Sequence, residues 1–133
     1  MPPTIEILNG VRILVMPPDG AKLKTAADAV EIVAEAATYR AGIVVIPVER
    51  LDGDFFQLAT RVAGEIVQKF VNYRIHIAIL GEVSEHVGRS AAFRDFVVES
   101  NRGTYLWFLD DLSQLEARLK LPPQPPIDSR ASE

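Results

Sequence analysis

Cysteine is absent from the 133-residue sequence. Disulfide bonds, thiolate catalysis and thiolate metal sites are therefore excluded together. No apolar run approaches the length of a membrane span. The segment 1–9 also lacks the basic region and long apolar stretch of a signal peptide. We therefore expect a cytoplasmic protein that does not bind membranes.

Positive charge is scarce as well. Fourteen Lys and Arg stand against 18 Asp and Glu, which gives a net charge of -4 and a pI near 5.2. This balance argues against a broad nucleic-acid footprint, so we expect no nucleic-acid partner. Hydrophobic residues make up 48% and charged residues 24%, which is ordinary for a globular domain with its own core.

Short β-branched runs at the start of the chain predict a hairpin. The runs at 5–8 and 11–16 are joined by Asn9-Gly10, and this dipeptide suits a type I′ turn because both turn positions need positive φ. Thr25 with Asp28 resembles a capping box that opens a helix. We predict four helices, at residues 26–40, 55–72, 91–100 and 111–119, and three further strands, at residues 43–46, 75–80 and 104–109. Helix 26–40 is predicted to bury Ala26, Val30, Val33 and Ala37.

This alternation predicts a single α/β domain over residues 1–120. Three strand-then-helix units imply a mixed, mostly parallel five-stranded sheet in the order β-β-α-β-α-β-α-β-α, with four helices. Residues 121–133 contain Pro-Pro-Gln-Pro-Pro, which predicts an extended or disordered tail.

Standard catalytic signatures are missing from the sequence. It contains no Walker loop, no G-x-G-x-x-G after a strand, no H-E-x-x-H and no G-x-S-x-G. A metal site from Glu82, Glu85 and His86 is conceivable from ligand type, but a polar loop of this composition is more often solvated surface. Neighbouring aspartates at 52 and 54, and at 110 and 111, are better explained as helix caps. We expect no metal and no cofactor.

A parallel sheet places its crevice beyond the carboxyl ends of the strands. Arg50 follows a strand and precedes a helix start, so its guanidinium could hold a phosphate or carboxylate, although it could also pair with a neighbouring carboxylate. The candidate ligand-binding residues in these loops are Glu49, Arg50, Asp54, Glu82, His86, Arg89 and Ser90.

Gly64 lies inside the predicted helix 55–72, on its polar side. Glycine there is unfavourable by about 1 kcal/mol relative to alanine, so either a partner surface approaches closely or the glycine is merely tolerated. Glu65 and Lys69 have the i, i+4 spacing of a surface ion pair.

Two longer motifs carry a family resemblance. The segments DFFQLATRVAGEIVQKFVNYR, at 54–74, and FRDFVVESNRG, at 93–103, resemble the bacterial domain-of-unknown-function family DUF4180. The resemblance extends over residues 27–119 and implies no established activity. The order of elements is also similar to STAS domains. Those modules often carry a phosphorylatable serine after the central strand, but residues 48–56 contain no serine or threonine, so the resemblance implies no phosphorylation switch here.

Two functions follow from the residues. The preferred one is a small non-enzymatic regulatory or interaction module, able to self-associate, that binds a protein partner or a small anion in the loop crevice or on the polar face of helix 55–72. The alternative is a small-molecule enzyme in which Asp54 or Glu82 acts as a base and Arg50 or Arg89 holds an anionic substrate.

Overall fold

The computed structural model describes residues 2–120 as a mixed α/β fold. Five strands form one sheet whose spatial order equals the chain order, with β1 antiparallel to β2 and the other pairs parallel. The strands are β1 (Thr4–Leu8), β2 (Val11–Val15), β3 (Ile43–Pro47), β4 (His76–Leu80) and β5 (Leu106–Leu109). The predicted sheet is confirmed. Asn9 and Gly10 both have positive φ, as the predicted hairpin turn requires.

Five α-helices connect or follow these strands, one more than predicted. They are α1 (Ala26–Thr38), α2 (Val62–Asn72), α3 (Ser84–Arg89), α4 (Ala91–Arg102) and α5 (Leu112–Leu119). The additional helix is α3, in a segment that was predicted to be a loop. Its six residues are too few to show a helical period in the sequence.

The predicted helix 55–72 was wrong in its first half. Residues 53–56 and 58–60 form short 3-10 turns, and α2 begins only at Val62. The Thr60 hydroxyl donates to the carbonyls of Asp54 and Gln57, which competes with a continuous helix. Arg61 then adopts a left-handed backbone conformation with φ 66°. Apolar spacing alone could not show this interruption.

The capping box at the start of α1 is confirmed, because the Thr25 and Asp28 side chains each accept the other's backbone N–H. The predicted buried face of this helix was wrong except for Val33. Val30 is 42% exposed. The buried residues are Ala29, Ile32, Val33 and Ala36, because α1 packs against both α2 and the sheet.

The sheet order determines the layers. From β2 to β5, each strand lies on the same side of the strand that precedes it in sequence. Because the connections between parallel strands are right-handed, their helices all lie on one face of the sheet. The core on this face joins residues of α1, α2 and α4 to the sheet, with Phe55, Phe70 and Phe93 fully buried. On the opposite face, the core contains Leu115 of α5 and residues of β2, β3 and β4.

The predicted tail at 121–133 lies outside the described residues. Within residues 2–120, no helix is both long enough and apolar enough to cross a membrane.

Candidate functional site

Arg50 already has partners at the predicted crevice. Its Nε donates to the Ala21 carbonyl at 2.8 Å, and its Nη1 donates to the Pro17 carbonyl at 2.9 Å. Gly20 makes this arrangement possible, because a Cβ there would lie 3.0 Å from the guanidinium carbon and φ is +146°. The Arg50 side chain therefore connects the loop after β2 to the 3-10 turn Val48–Arg50, which follows β3.

The other candidate residues in these loops have local roles or lie in solvent. The His86 ring stacks on Phe56 with centroids 3.7 Å apart. The Ser90 hydroxyl accepts the N–H of Phe93 and caps α4. Arg89 pairs with Glu85 one turn away, at 3.2 Å on an exposed surface. Glu49, Asp54 and Glu82 are exposed.

The seven predicted site residues are not linked to one another by direct polar contacts, and a ligand site in these loops stays a prediction. Within residues 2–120, no hydrogen bond or ion pair joins any of them to another. In the same part of the chain, no group of three His, Cys, Asp or Glu side chains could hold a metal ion. Next to the crevice, the Val48 side chain lies very close to Gly81. A Cβ added to Gly81 would be 2.6 Å from the Val48 side chain. This edge of the sheet is thus tightly packed where β3 and β4 end.

The carboxylates with shifted pKa values also have structural roles. The N–H of Lys24, with the backbone and side chain of Thr25, lowers the pKa of Asp28. The Ser113 hydroxyl and the N–H of Gln114 lower the pKa of Asp111, which caps α5. A carboxylate that accepts several hydrogen bonds is stabilised in its charged form, so both groups stay ionised at the starts of helices.

A groove of about 680 Å³ lies along the solvent side of α2. We call it the α2 groove. Its residues come from the start of α1, the 3-10 turn before α2, α2 itself and α4. They are Ala26, Leu58, Arg61, Gly64, Glu65, Gln68, Lys69 and Phe96.

The charged groups of the α2 groove have no partners within the described part of the chain. Arg61, Glu65 and Lys69 follow one another at four-residue spacing, but among residues 2–120 none makes a side-chain hydrogen bond or ion pair. The predicted pair between Glu65 and Lys69 is therefore not formed. Gly64 is exposed between them, and a Cβ added there would meet nothing within 4 Å.

Sequence reasoning noted the polar residues of this groove but missed its apolar contributors, Leu58 and Phe96. Leu58 lies in the segment that was wrongly predicted as continuous helix. Phe96 is half-buried at the rim of the core. Its place in the α2 groove depends on the tertiary fold, so the sequence carried no signal for it.

Comparison with known families gives one result over most of the chain. The family described as Domain of unknown function (DUF4180) matches residues 8–119. The chain belongs to this family. The matched DUF4180 region includes every residue of the α2 groove and the whole predicted crevice. No curated protein and no solved structure matches the chain, so the similarity to STAS domains stays an interpretation.

Proposed function

We propose that this DUF4180 domain is a non-enzymatic interaction module that binds a partner protein through the α2 groove. The observation that carries the proposal is Gly64, an exposed glycine in the first turn of α2, between charged side chains that have no partner within residues 2–120. The groove is open and shallow, which suits a protein segment better than an enclosed small molecule.

Gly64 has no packing role inside the described domain. Glycine costs up to about 1 kcal/mol relative to alanine in a helix, the full amount applying to the interior, and here no neighbouring atom would obstruct a methyl group. A partner backbone or side chain that approaches α2 closely would use this open space. Partner binding therefore explains why glycine occupies this position, whereas the stability of the folded domain does not.

The charges of the groove indicate the chemistry of the partner. Arg61 and Lys69 flank Glu65, so the groove carries an excess of one positive charge. Leu58 and Phe96 add apolar surface beside them. The fitting occupant is an amphipathic segment whose apolar side chains contact these two residues and whose carboxylate reaches Arg61 or Lys69.

The crevice favours neither an enzyme nor an anion site. Arg50 and Arg89, which would hold an anionic substrate, are bonded to loop carbonyls and to Glu85. A small anion at the crevice stays a prediction, as do a regulatory role and a cytoplasmic location.

The proposal is tested by photo-crosslinking in the native host. A photoreactive residue at position 68, in the α2 groove, should give a defined adduct with one protein, and the same residue at exposed position 31 on α1 should not. Charge reversal by Arg61→Glu with Lys69→Glu should abolish the adduct. Absence of an adduct at 68, or an adduct that persists after charge reversal, contradicts the proposal.

Gly64→Ala separates binding from folding. Because the methyl group meets open space, the variant should be more stable, by at most about 1 kcal/mol at this first-turn position, in chemical denaturation. It should also bind the crosslinked partner, once purified, more weakly than wild type. A variant that gains stability and binds normally would show that the glycine is merely tolerated.

A further inference from the structure

A second surface lies at the amino ends of the parallel strands, opposite the predicted crevice. All three tyrosines of the chain are there, each just before a strand, and an arginine lies within three residues of each. We call this surface the Tyr–Arg edge. Its residues are Tyr39, Arg40, Tyr73, Arg74, Arg102 and Tyr105.

The sheet brings these loops side by side. The N–H of His76 donates to the Gly42 carbonyl, and the N–H of Ile77 donates to the Tyr105 carbonyl, both across neighbouring strands. Adjacent strands lie about 5 Å apart, so the three loops form one continuous strip. The His76 ring stacks on Tyr105 with centroids 4.8 Å apart, which fixes the orientation of that tyrosine.

The C-termini of α1 and α2, both on this strip, have the same unusual backbone conformation. The N–H of Arg40 donates to the Ala37 carbonyl at 3.1 Å, and that of Ala41 donates to the Ala36 carbonyl at 2.8 Å. This is a Schellman motif, whose left-handed position normally holds glycine. Arg40 occupies it with φ 58°, and Arg74 does so with the same φ after α2.

The left-handed arginines require an explanation, because a residue with a Cβ is strained in this conformation. Such strain often marks a functional surface. The side chains of Arg40 and Arg74 make no hydrogen bond or ion pair within residues 2–120, so they do not stabilise the described domain in return. Arg12 is exposed in the same way beside them, since its carbonyl accepts the N–H of Gly42.

The tyrosines of the edge are unusually open. Tyr39, Tyr73 and Tyr105 are 44%, 63% and 38% exposed. Tyrosine and arginine are the residue types that are enriched at protein interfaces and that carry much of their binding energy. The edge contains no lysine, and among residues 2–120 the carboxylate paired with its arginines is that of Glu99, 4.0 Å from Arg102.

We propose that the Tyr–Arg edge is a docking surface for an acidic segment of a partner protein, separate from the α2 groove. Planar guanidinium groups pair with carboxylates through two parallel hydrogen bonds, and the tyrosines supply apolar area and hydroxyl groups beside them. A short acidic segment needs only the local arginines of the edge, whereas nucleic acid extends over a wider surface of a chain whose net charge is -4, so the charge distribution favours the acidic segment.

The test uses fluorescein-labelled oligoglutamate as the probe and fluorescence anisotropy as the readout. Wild-type protein should bind it, and binding should weaken as salt is added. Arg40→Gly combined with Arg74→Gly should weaken binding about tenfold. Both changes relieve left-handed strain, so the double variant should unfold at higher denaturant concentration than wild type, and loss of binding cannot be attributed to loss of folding.

Arg94→Gln is the control. Arg94 is an exposed arginine of α4 that lies outside both the Tyr–Arg edge and the α2 groove, and its contact with Asp95 is also exposed. The control therefore removes one positive charge elsewhere on the surface, and it should leave oligoglutamate binding unchanged. Tyr73→Ala should weaken binding without changing stability.

Three results would overturn the proposal. They are undetectable binding of oligoglutamate to wild type, equal weakening by Arg94→Gln and Arg74→Gly, and tighter binding of polyuridine RNA than of oligoglutamate at the same salt concentration. The last result would assign the edge to nucleic acid instead.

Discussion

Arg50 has a position that suits either of two roles, binding of an anion or hydrogen bonding to a neighbouring loop. Its position after a parallel strand predicts anion binding. In the structure, however, its Nε and Nη1 groups donate hydrogen bonds to two loop carbonyls. Positional reasoning cannot detect those carbonyls, since the loop that supplies them lies about thirty residues earlier.

Arg50→Ala should therefore act mainly on stability. Loss of both hydrogen bonds should lower the free energy of unfolding by about 1 to 2 kcal/mol. Arg89→Ala, which removes an exposed ion pair, should cost about 0 to 1 kcal/mol in the same urea titration. If phosphate instead stabilises wild type but not Arg50→Ala, the anion prediction holds and the structural explanation is insufficient.

Asp28 gives a prediction about acid stability. Hydrogen bonds from the N–H groups of Lys24 and Thr25 lower its pKa in the folded state, below the unfolded value near pH 4. Its contribution to stability is therefore fully present above about pH 4 and is lost as the pH falls through the folded pKa.

Asp28→Asn should flatten part of this pH dependence. The variant should be less stable than wild type at neutral pH, and the difference should shrink on acidification, as measured by urea midpoints across the pH range. Glu31→Gln, on the exposed side of the same helix, is the control and should preserve the wild-type profile. A constant difference between Asp28→Asn and wild type at every pH would contradict the linkage.

At the scale of elements, α2 combines a buried and an open face. Phe70 is fully buried among the core residues of the three-helix face, whereas Gln68, two residues earlier in α2, is exposed. Phe70→Ala should destabilise the protein by about 3 to 5 kcal/mol. Gln68→Ala should change stability by less than about 0.5 kcal/mol, so guanidinium unfolding of the two variants tests which face is buried. Similar losses in both would mean that the helix is rotated from its described position.

The elements also show which sequence signals were sufficient. Asn9-Gly10 and the apolar run at 43–46 predicted their turn and strand because each reflects local backbone and burial requirements. The interruption between Gln57 and Arg61 could not be predicted, because it depends on side-chain hydrogen bonds of Thr60 and on a left-handed arginine. Two of the candidate site residues have partners that are distant in sequence and that could not be predicted: Arg50 bonds to the loop at residues 17–21, and His86 stacks on Phe56.

At the scale of the molecule, the two faces of the sheet are covered unequally. Three helices cover one face, but within residues 2–120 the buried helical residue on the other face is Leu115 of α5. Leu115→Ala should cost about 2 to 5 kcal/mol despite the shortness of its helix. Ala117→Ser, at an exposed position of α5, should cost less than about 0.5 kcal/mol in the same calorimetric experiment. A small loss at Leu115 would show that this face tolerates exposure.

The identity of spatial and chain order in the sheet has a consequence for synthesis on the ribosome. Each strand finds its neighbour already emerged from the exit tunnel, because no strand must wait for one made much later. Assembly can therefore proceed strand by strand from β1, and each step closes only a short loop. Each new strand pairs with the strand that was added just before it. Helix α5 is the last element within residues 2–120 and contributes Leu115 to the core of the second face. The nascent domain therefore exposes these core residues of the sheet until α5 has emerged.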